Sequence, residues 1–375
     1  MEEALNKEIN EALEESGIIG ENWVSWDKAF KQENEERWDT DPNKLCSYGI
    51  KVLDDALYRI GKNELVVIGA ESGQGKSELS LMIGQHNAQQ GKKVAVYYLE
   101  GGHLEAIRRM KWRDMMKKYQ KLSPHEKITN IINFRDWYFN NRGINKKDDI
   151  LVRLEKEVHQ EYKENYKNNL QFYPTEKDFT LEKMVSSLFD FKELLSKNLD
   201  LDLIIIDHLQ YFSLSQADNE ITEITKILRE VKHITEYYNT PVILVSHLRK
   251  RGKNAGLPTH EDFYGSGNIA KISTTSIMIS PATDKTDMGK NVYPTYFRIV
   301  KSRMGIPAHF VFLSDFKGLE KSYSNSYEIY CVDGFGNVTV EPLEHEKYPS
   351  WARRKNNCAT SCACSPYKPQ PVVDR

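Results

Sequence analysis

The sequence predicts an α/β fold: a mostly parallel β-sheet with helices on both faces. Between Tyr48 and about Ser280, short apolar segments typical of strands alternate with longer segments of helical periodicity. This alternation is typical of βαβ units and therefore of parallel strands. The strand segments are apolar throughout, as in the run LIII at 203–206, and a sheet covered on both faces requires that pattern.

Six strands and four helices are predicted in this region. The strands are Glu64–Ile68, Lys93–Leu99, Leu170–Tyr173, Leu203–Ile206, Val242–Val245 and Thr275–Ile279, and the helices are Ser77–Gln90, Leu104–Tyr119, Leu181–Lys197 and Asn219–Tyr238. The charged and aromatic stretch at about 120–168 interrupts the alternation, and we expect a helical insertion at the sheet edge. Residues 296–331 alternate between apolar and polar side chains, which predicts late antiparallel strands joined by turns.

Composition limits the classes of function. The formal net charge of −2 means that any contact with nucleic acid must come from a local basic patch. No apolar run is long enough to cross a membrane, so no membrane partner is expected. The first residues, MEEALNKEIN, are acidic and amphipathic, unlike a signal peptide, and a cytoplasmic protein is therefore expected.

The chain is predicted to have three parts. Residues 1–45 are interpreted as a helical arm or linker, residues 46–345 as one large domain, and residues 346–375 as a flexible tail. Three cysteines cluster in the tail, at Cys358, Cys362 and Cys364, but no fourth Cys or His follows at a usual zinc spacing. A flexible tail is therefore favoured over a metal site.

The most informative segment is LVVIGAESGQGKSELS, at 65–80. It predicts a buried strand, a turn of small residues and a helix, which is the context that a phosphate-binding P-loop requires. The loop amides would hold phosphate oxygens, Lys76 would reach the β- and γ-phosphates, and the Ser77 hydroxyl would hold Mg²⁺. The predicted cofactors are therefore ATP and Mg²⁺, and the loop residues that bind them are Ala70, Glu71, Ser72, Gly73, Gln74, Gly75, Lys76 and Ser77.

The loop departs from the usual pattern G-x-x-x-x-G-K-[ST] at its first position. Ala70 stands where the pattern has glycine, and Gly69 comes one residue early. An ordinary glycine-rich turn is the alternative interpretation. It does not explain why a lysine and a serine open the helix.

Two acids are predicted to complete the site. Asp207 follows three isoleucines and would lie at the carboxyl end of a buried strand, where open α/β sheets bind ligands and where a second acid helps to hold Mg²⁺. Asp202 precedes the same apolar run and would lie at the wrong end. Glu100 ends another predicted strand and could orient the attacking water, although many strands end in an acid.

Taken in order, these segments resemble the DnaB-type replicative helicases, which are ring motors built on a RecA-like ATPase domain. The resemblance runs from about Tyr48 to Met304 and includes YYLE at 97–100, IDHLQ at 206–210, SHL at 246–248, GSGNIA at 265–270 and KSR at 301–303. It implies that Glu100 activates water and that Asp207 belongs to the family pattern I-D-x-L-Q. It also implies that His247 senses the γ-phosphate, where a hydrogen-bonded strand-end histidine is the plainer interpretation.

The resemblance gives the late Lys-x-Arg pair a role between subunits. It implies that Arg303 is an arginine finger that reaches the ATP of the next subunit, with Lys301 beside it. Such a finger acts only in an oligomer, so the family implies a homo-oligomeric ring, by analogy a hexamer. The alternative is a solvated basic face on an edge strand.

DNA contact is expected from two loops. Family members use glycine-containing loops here to hold the phosphates of single-stranded DNA, and backbone amides and basic side chains suit that contact. Tyr264 stands where the family often has arginine. The predicted DNA-binding residues are Arg249, Lys250, Arg251, Lys253, Gly265, Ser266, Gly267 and Lys271.

The resemblance thus implies an ATP-dependent DNA helicase that moves 5′ to 3′ on single-stranded DNA. The stretch before residue 46 is short for a primase-binding domain, so a phage-type helicase with a separate primase or loader is expected. Two alternatives stay open. One is a RecA-like recombination or repair ATPase that forms filaments without unwinding, and the other is a nucleotide-gated adaptor or loader.

Overall fold

The computed structural model describes most of the chain. The described residues are 24, 26–39, 41–125, 133–139, 150–174, 178–194, 201–212, 220–250, 252, 256–264, 267–282, 291–303, 309–333, 335–349 and 352. They belong to two compact units, Met1–Leu45 and Cys46–Arg375. In the first unit, helix α1 (Trp26–Asp39) precedes a short 3-10 turn at Pro42–Lys44.

The second unit alternates strands and helices. Its strands are β1 (Leu65–Ala70), β2 (Val94–Tyr98), β3 (Leu170–Phe172), β4 (Leu203–Asp207), β5 (Val242–His247), β6 (Thr275–Pro281), β7 (Val292–Ser302), β8 (Phe310–Lys317) and β9 (Ser322–Cys331). Its helices are α2 (Lys51–Leu57), α3 (Lys76–Gln89), α4 (Gly102–Lys121), α5 (Phe134–Tyr138), α6 (Ile150–Asn165), α7 (Leu181–Leu194), α8 (Glu220–Tyr237) and α9 (Gly267–Ile272).

All nine strands form one sheet in the order β3-β2-β4-β5-β1-β6-β7-β8-β9. The pairs from β3 to β6 are parallel, and the pairs from β6 to β9 are antiparallel. The predicted fold class, a mostly parallel sheet with late antiparallel strands, is confirmed. Within the described residues, no helix is both long and apolar enough to cross a membrane.

Helices cover both faces of the parallel strands, because side chains alternate along each buried strand. In β1, Val66 and Ile68 join a core that α2 and α3 also line. Leu65 and Val67 point to the opposite core, which includes residues of α7, α8 and α9. The fully apolar strand sequences therefore reflect burial on both sides.

The predicted insertion is helical where the structure describes it. Helices α4 and α6 pack around Trp112, which is completely buried. The indole Nε1 of Trp112 donates a hydrogen bond to the carbonyl of Leu319 at 2.7 Å, which ties α4 to the turn between β8 and β9. Residues 126–132 and 140–149 of the predicted insertion lie outside the described residues.

The topology separates two edges of the sheet. The carboxyl ends of β1, β2, β4 and β5 meet at one edge, which we call the carboxyl edge. Strand β7 runs against β6, and its last residue, Ser302, pairs with Thr275, the first residue of β6. The end of β7 therefore lies at the opposite edge, away from the loop that follows β1.

Candidate nucleotide-binding site

The loop between β1 and α3 has the backbone that a phosphate-binding loop needs. Gly73 and Gly75 have φ values of +78° and +86°, a left-handed conformation that favours glycine. Gly75 directly precedes α3, and a Cβ atom there would lie 3.0 Å from the Tyr323 hydroxyl. The loop therefore brings its backbone to the N-terminus of α3, where amide groups favour anions.

The alanine at the first loop position is compatible with this geometry. Ala70 is the last residue of β1, an extended conformation that any residue adopts, and it is fully buried. The glycine is needed one residue earlier. A Cβ atom on Gly69 would lie within 3 Å of Phe263, Met278 and Leu248.

Lys76 is buried at the start of α3 and its amine is held at three points. The Nζ atom donates to the carbonyl oxygens of Ala70 at 3.1 Å and Glu71 at 2.9 Å, and it lies 3.0 Å from Nδ1 of His247. Burial lowers the pKa of Lys76, while the carboxylates of Asp207, Glu100 and Glu71 act in the opposite direction. These carboxylates keep a cation at the end of the loop.

Asp207 is fully buried at the end of β4 and has one oxygen to offer. Its Oδ2 accepts a hydrogen bond from the Ser80 hydroxyl at 2.9 Å, whereas Oδ1 has no hydrogen-bond partner. Burial raises the pKa of Asp207 to about 6, against the lowering effects of Ser80, Ser77 and Lys76. A buried carboxylate oxygen without a partner, beside a hydroxyl, fits the oxygen ligands that Mg²⁺ prefers.

Glu100 and His247 end the two other predicted site strands and also face this edge. Glu100 follows β2, its side chain is 44% exposed, and its Oε2 lies 3.4 Å from Nε2 of His208. His247 is the last residue of β5, and burial, followed by the charge of Lys76, lowers its pKa. The structure thus brings Lys76, Asp207, Glu100 and His247 together at the carboxyl edge.

A cavity of about 600 Å³ lies over the loop. One part is lined by residues 72–78, Glu100 and His247. The other is lined by residues that the sequence analysis did not select, among them Arg109, Pro281, Tyr293, Phe316, Lys321 and Tyr323. Its polar and aromatic walls could accept a ligand with both a phosphate chain and a planar ring.

A buried charge cluster closes the cavity beside α3. Glu78 is 5% exposed, and its carboxylate pairs with Arg109, with Arg113 at 2.6 Å and with Lys321 at 3.7 Å. Burial raises the pKa of Glu78, but the three cations outweigh burial and lower it overall. The guanidinium of Arg113 is itself completely buried, so it depends on this carboxylate.

Replacing Glu78 by glutamine is therefore expected to destabilise the fold by about 3–5 kcal/mol, because a buried arginine loses its counter-charge. Urea denaturation at neutral pH measures the change. The matched control is Glu105→Gln, which removes a 26% exposed carboxylate from Arg109 and should cost less than about 1 kcal/mol. Equal effects of the two variants would show that the buried cluster has no special weight.

Residues 46–318 match the family model described as the DnaB-like helicase C-terminal domain. The chain belongs to the DnaB-like helicase family. This membership fits the resemblance inferred from the ordered motifs, and it favours a helicase over the recombination ATPase that the sequence left open.

Similar proteins agree with this family. A probable replicative DNA helicase of Trieres chinensis is 24% identical over 238 residues, and the chain spans about half of that relative, 46% of its length, with 62% of its own. A solved structure that consists of an ATPase domain superposes with a TM-score of 0.65 at 19% identity, over 81% of this chain and all of that one. A DnaB-like replicative helicase, studied with its interactions with primase, gives 0.58 at 18%, over 84% and 67%. At these identities the solved structures show the fold, a RecA-like ATPase domain.

In this DnaB-like chain, the Lys-x-Arg pair lies at the sheet edge opposite the P-loop. Arg303 is exposed directly after β7. The amine of Lys301 instead donates to the carbonyl oxygens of Ala270, Lys271 and Ser273, at 2.5–3.0 Å. Only Arg303 of the pair is therefore available to a neighbouring molecule, and neither residue lies in the site formed by its own chain.

The predicted DNA-binding residues of this DnaB-like chain fall in two places. Arg249 and Lys250 are exposed after β5, in a loop whose base is closed by a bridge between Leu248 and Phe263. Lys271 is exposed at the end of α9, near the start of β6, with Gly267 at the beginning of the same helix. The other predicted residues, Arg251, Lys253, Gly265 and Ser266, lie outside the described residues.

Proposed function

We propose that this protein is an ATP-dependent replicative DNA helicase that moves along single-stranded DNA and unwinds duplex DNA. The observation that carries the proposal is the convergence of Lys76, Asp207, Glu100 and His247 on one cavity, in a chain of the DnaB-like helicase family. A lysine, two carboxylates and a polar strand-end residue around a loop of amides are the parts that phosphoryl transfer requires.

In this proposal each side chain has a separate task. Lys76 binds the β- and γ-phosphates and stabilises the charge that develops between them. Glu100, which is partly exposed, orients the attacking water and takes its proton. His247 contacts the γ-phosphate from the end of β5, and its hydrogen-bonded contact with Lys76 reports whether that phosphate is present.

Ser77 and Asp207 are the residues that would hold Mg²⁺. The buried Oδ1 of Asp207, without a hydrogen-bond partner, is the atom that supports this assignment. When bound, the ion would neutralise negative charge on the phosphates. The aromatic part of the cavity, with Tyr293 and Phe316, is the proposed place of the adenine ring.

The proposed active assembly is a homo-oligomeric ring, by family analogy a hexamer. Arg303 lies on the edge opposite the P-loop, so it could serve a nucleotide only on a neighbouring subunit. The proposed DNA contacts are Arg249, Lys250, Lys271 and the loop residues beside them. A separate primase or loader and a 5′-to-3′ direction are proposed by the same analogy, with action in the cytoplasm of a bacterial or phage-infected cell.

We expect single-stranded DNA to stimulate ATP hydrolysis severalfold and to promote ring formation with ATP and Mg²⁺. ATPase assays with and without an oligonucleotide, sizing, and displacement of a labelled strand from forks with a 5′ or 3′ tail measure these properties. Stimulation should weaken as salt rises, because phosphate contacts release counterions. Hydrolysis with filaments and no strand displacement would refute the helicase and favour the recombination alternative.

A further inference from the structure

The candidate site contains a chain of hydrogen bonds whose direction can be assigned. Gln210 accepts the backbone N–H of His247 at its Oε1, at 3.2 Å. Its Nε2 donates to the Ser246 hydroxyl at 3.1 Å, and that hydroxyl donates to the carbonyl of His247 at 3.4 Å. Both ends of the Gln210 amide are thereby identified, because a backbone N–H can only donate.

This direction fixes the proton on the neighbouring histidine. Nδ1 of His208 lies 3.1 Å from Oε1 of Gln210, so Nδ1 must carry the hydrogen. Burial, followed by the nearby His247 and Lys76, lowers the pKa of His208 to about 3, so its ring is neutral. The other ring nitrogen, Nε2, is then a lone pair that can only accept.

The lone pair points to Glu100. Nε2 of His208 is buried without a hydrogen-bond partner, and it lies 3.4 Å from Oε2 of Glu100. An ionised carboxylate cannot donate to this nitrogen, whereas a protonated carboxyl can. His208 therefore favours the protonated form of Glu100, which makes Glu100 a stronger base.

We propose that His208 is a positioning residue for Glu100, and that its Nε2 accepts a hydrogen bond from the Glu100 carboxylic acid formed during hydrolysis. This inference rests on the proposed role of Glu100. The family pattern I-D-x-L-Q leaves the position of His208 open, so the contact depends on the residue that this chain has there.

The proposed step conserves atoms and charge. An O–H bond of water breaks, its proton goes to Oε2 of Glu100, and the water oxygen bonds to the γ-phosphorus. The bond between that phosphorus and the bridging oxygen breaks, and its electron pair leaves with ADP. Nε2 of His208 holds the protonated Glu100 in place until the proton passes to solvent at the exposed side of the carboxyl group.

The test compares His208→Asn and Glu100→Gln alone and together. Asparagine keeps a donor near Gln210 but has no atom in the place of Nε2. We expect His208→Asn to lower kcat by about 10- to 100-fold, with the affinity for a fluorescent ADP changed by less than about twofold. In the Glu100→Gln background the same change should alter the residual rate by less than about twofold, because the partner is already missing.

Two further variants complete the design. His208→Gln restores an acceptor in the place of Nε2 and should recover most of the lost kcat, which also decides the matter if His208→Asn does not bind ADP. His233→Asn, an exposed histidine on α8, is the control and should hydrolyse ATP like the wild type.

The results separate this inference from the proposed function. Equal losses from His208→Asn in both backgrounds, an unchanged kcat, or no recovery in His208→Gln would overturn the role of His208 while leaving the ATPase intact. A wild-type protein without ATPase activity would refute the proposed function itself, before any variant is compared.

Discussion

Alanine in place of Lys76 will lower the rate of ATP hydrolysis by at least about 100-fold, both with and without single-stranded DNA. The amine lies at the end of the glycine loop, and the nearby carboxylates favour its charged form. The substitution takes away the buried cation of the loop that faces the proposed position of the β- and γ-phosphates. Steady-state phosphate release at saturating ATP measures the effect.

The control for this variant is Lys163→Ala, which removes an exposed lysine from α6. It should leave the ATPase rate unchanged. The melting temperature of Lys76→Ala should stay close to that of the wild type, since the substitution removes a buried charge whose contacts are to the loop itself and to His247. A rate within about twofold of the wild type in Lys76→Ala would contradict the assignment of the P-loop.

Arg303→Ala is expected to lower ATP turnover by about 1,000-fold, the scale of a lost arginine finger. The side chain is exposed, and it lies at the sheet edge opposite the loop of its own chain. Loss of activity with normal binding of ADP would fit a guanidinium that acts only on the transferring phosphoryl group. Arg249→Ala is the informative comparison, because it should weaken DNA binding more than it affects turnover without DNA.

Mixing the two inactive variants tests whether Arg303 acts between subunits. In mixed oligomers, a Lys76→Ala subunit can supply Arg303 to the intact P-loop of an Arg303→Ala subunit. In an equal mixture, roughly a quarter of the head-to-tail interfaces should be complete, and a corresponding share of activity should return. No recovery in mixtures that demonstrably assemble would place the function of Arg303 outside the nucleotide site.

The strands were predictable because burial on both faces leaves a simple signal. Leu203–Ile206 is apolar at every position and is preceded and followed by aspartate, so its ends and the place of Asp207 at the carboxyl edge follow from the sequence. The same reasoning identified Lys76, Glu100 and His247, since each directly follows or ends a predicted strand or opens a helix. Local sequence is sufficient where a residue's position along its own strand decides its role.

The charge cluster around Glu78 was not predictable. Its partner Lys321 comes from the turn before β9, far along the chain, and no local pattern distinguishes it from an ordinary surface lysine. The contacts of Lys301 were missed for the same reason, because three backbone carbonyl groups near the end of α9 have no sequence signature. The tautomer of His208 depends on four hydrogen bonds that only the folded strands bring together.

The position of Lys301 joins two parts of the molecule with different proposed tasks. Its amine fastens the end of α9, which carries Lys271, to the strand that ends next to Arg303. If Arg303 follows the nucleotide of an adjacent subunit, any displacement of β7 is transferred to α9 over less than one helical turn, without deforming the parallel strands. The geometry would then make the timing of DNA release in one subunit depend on the chemical state of its neighbour rather than on its own.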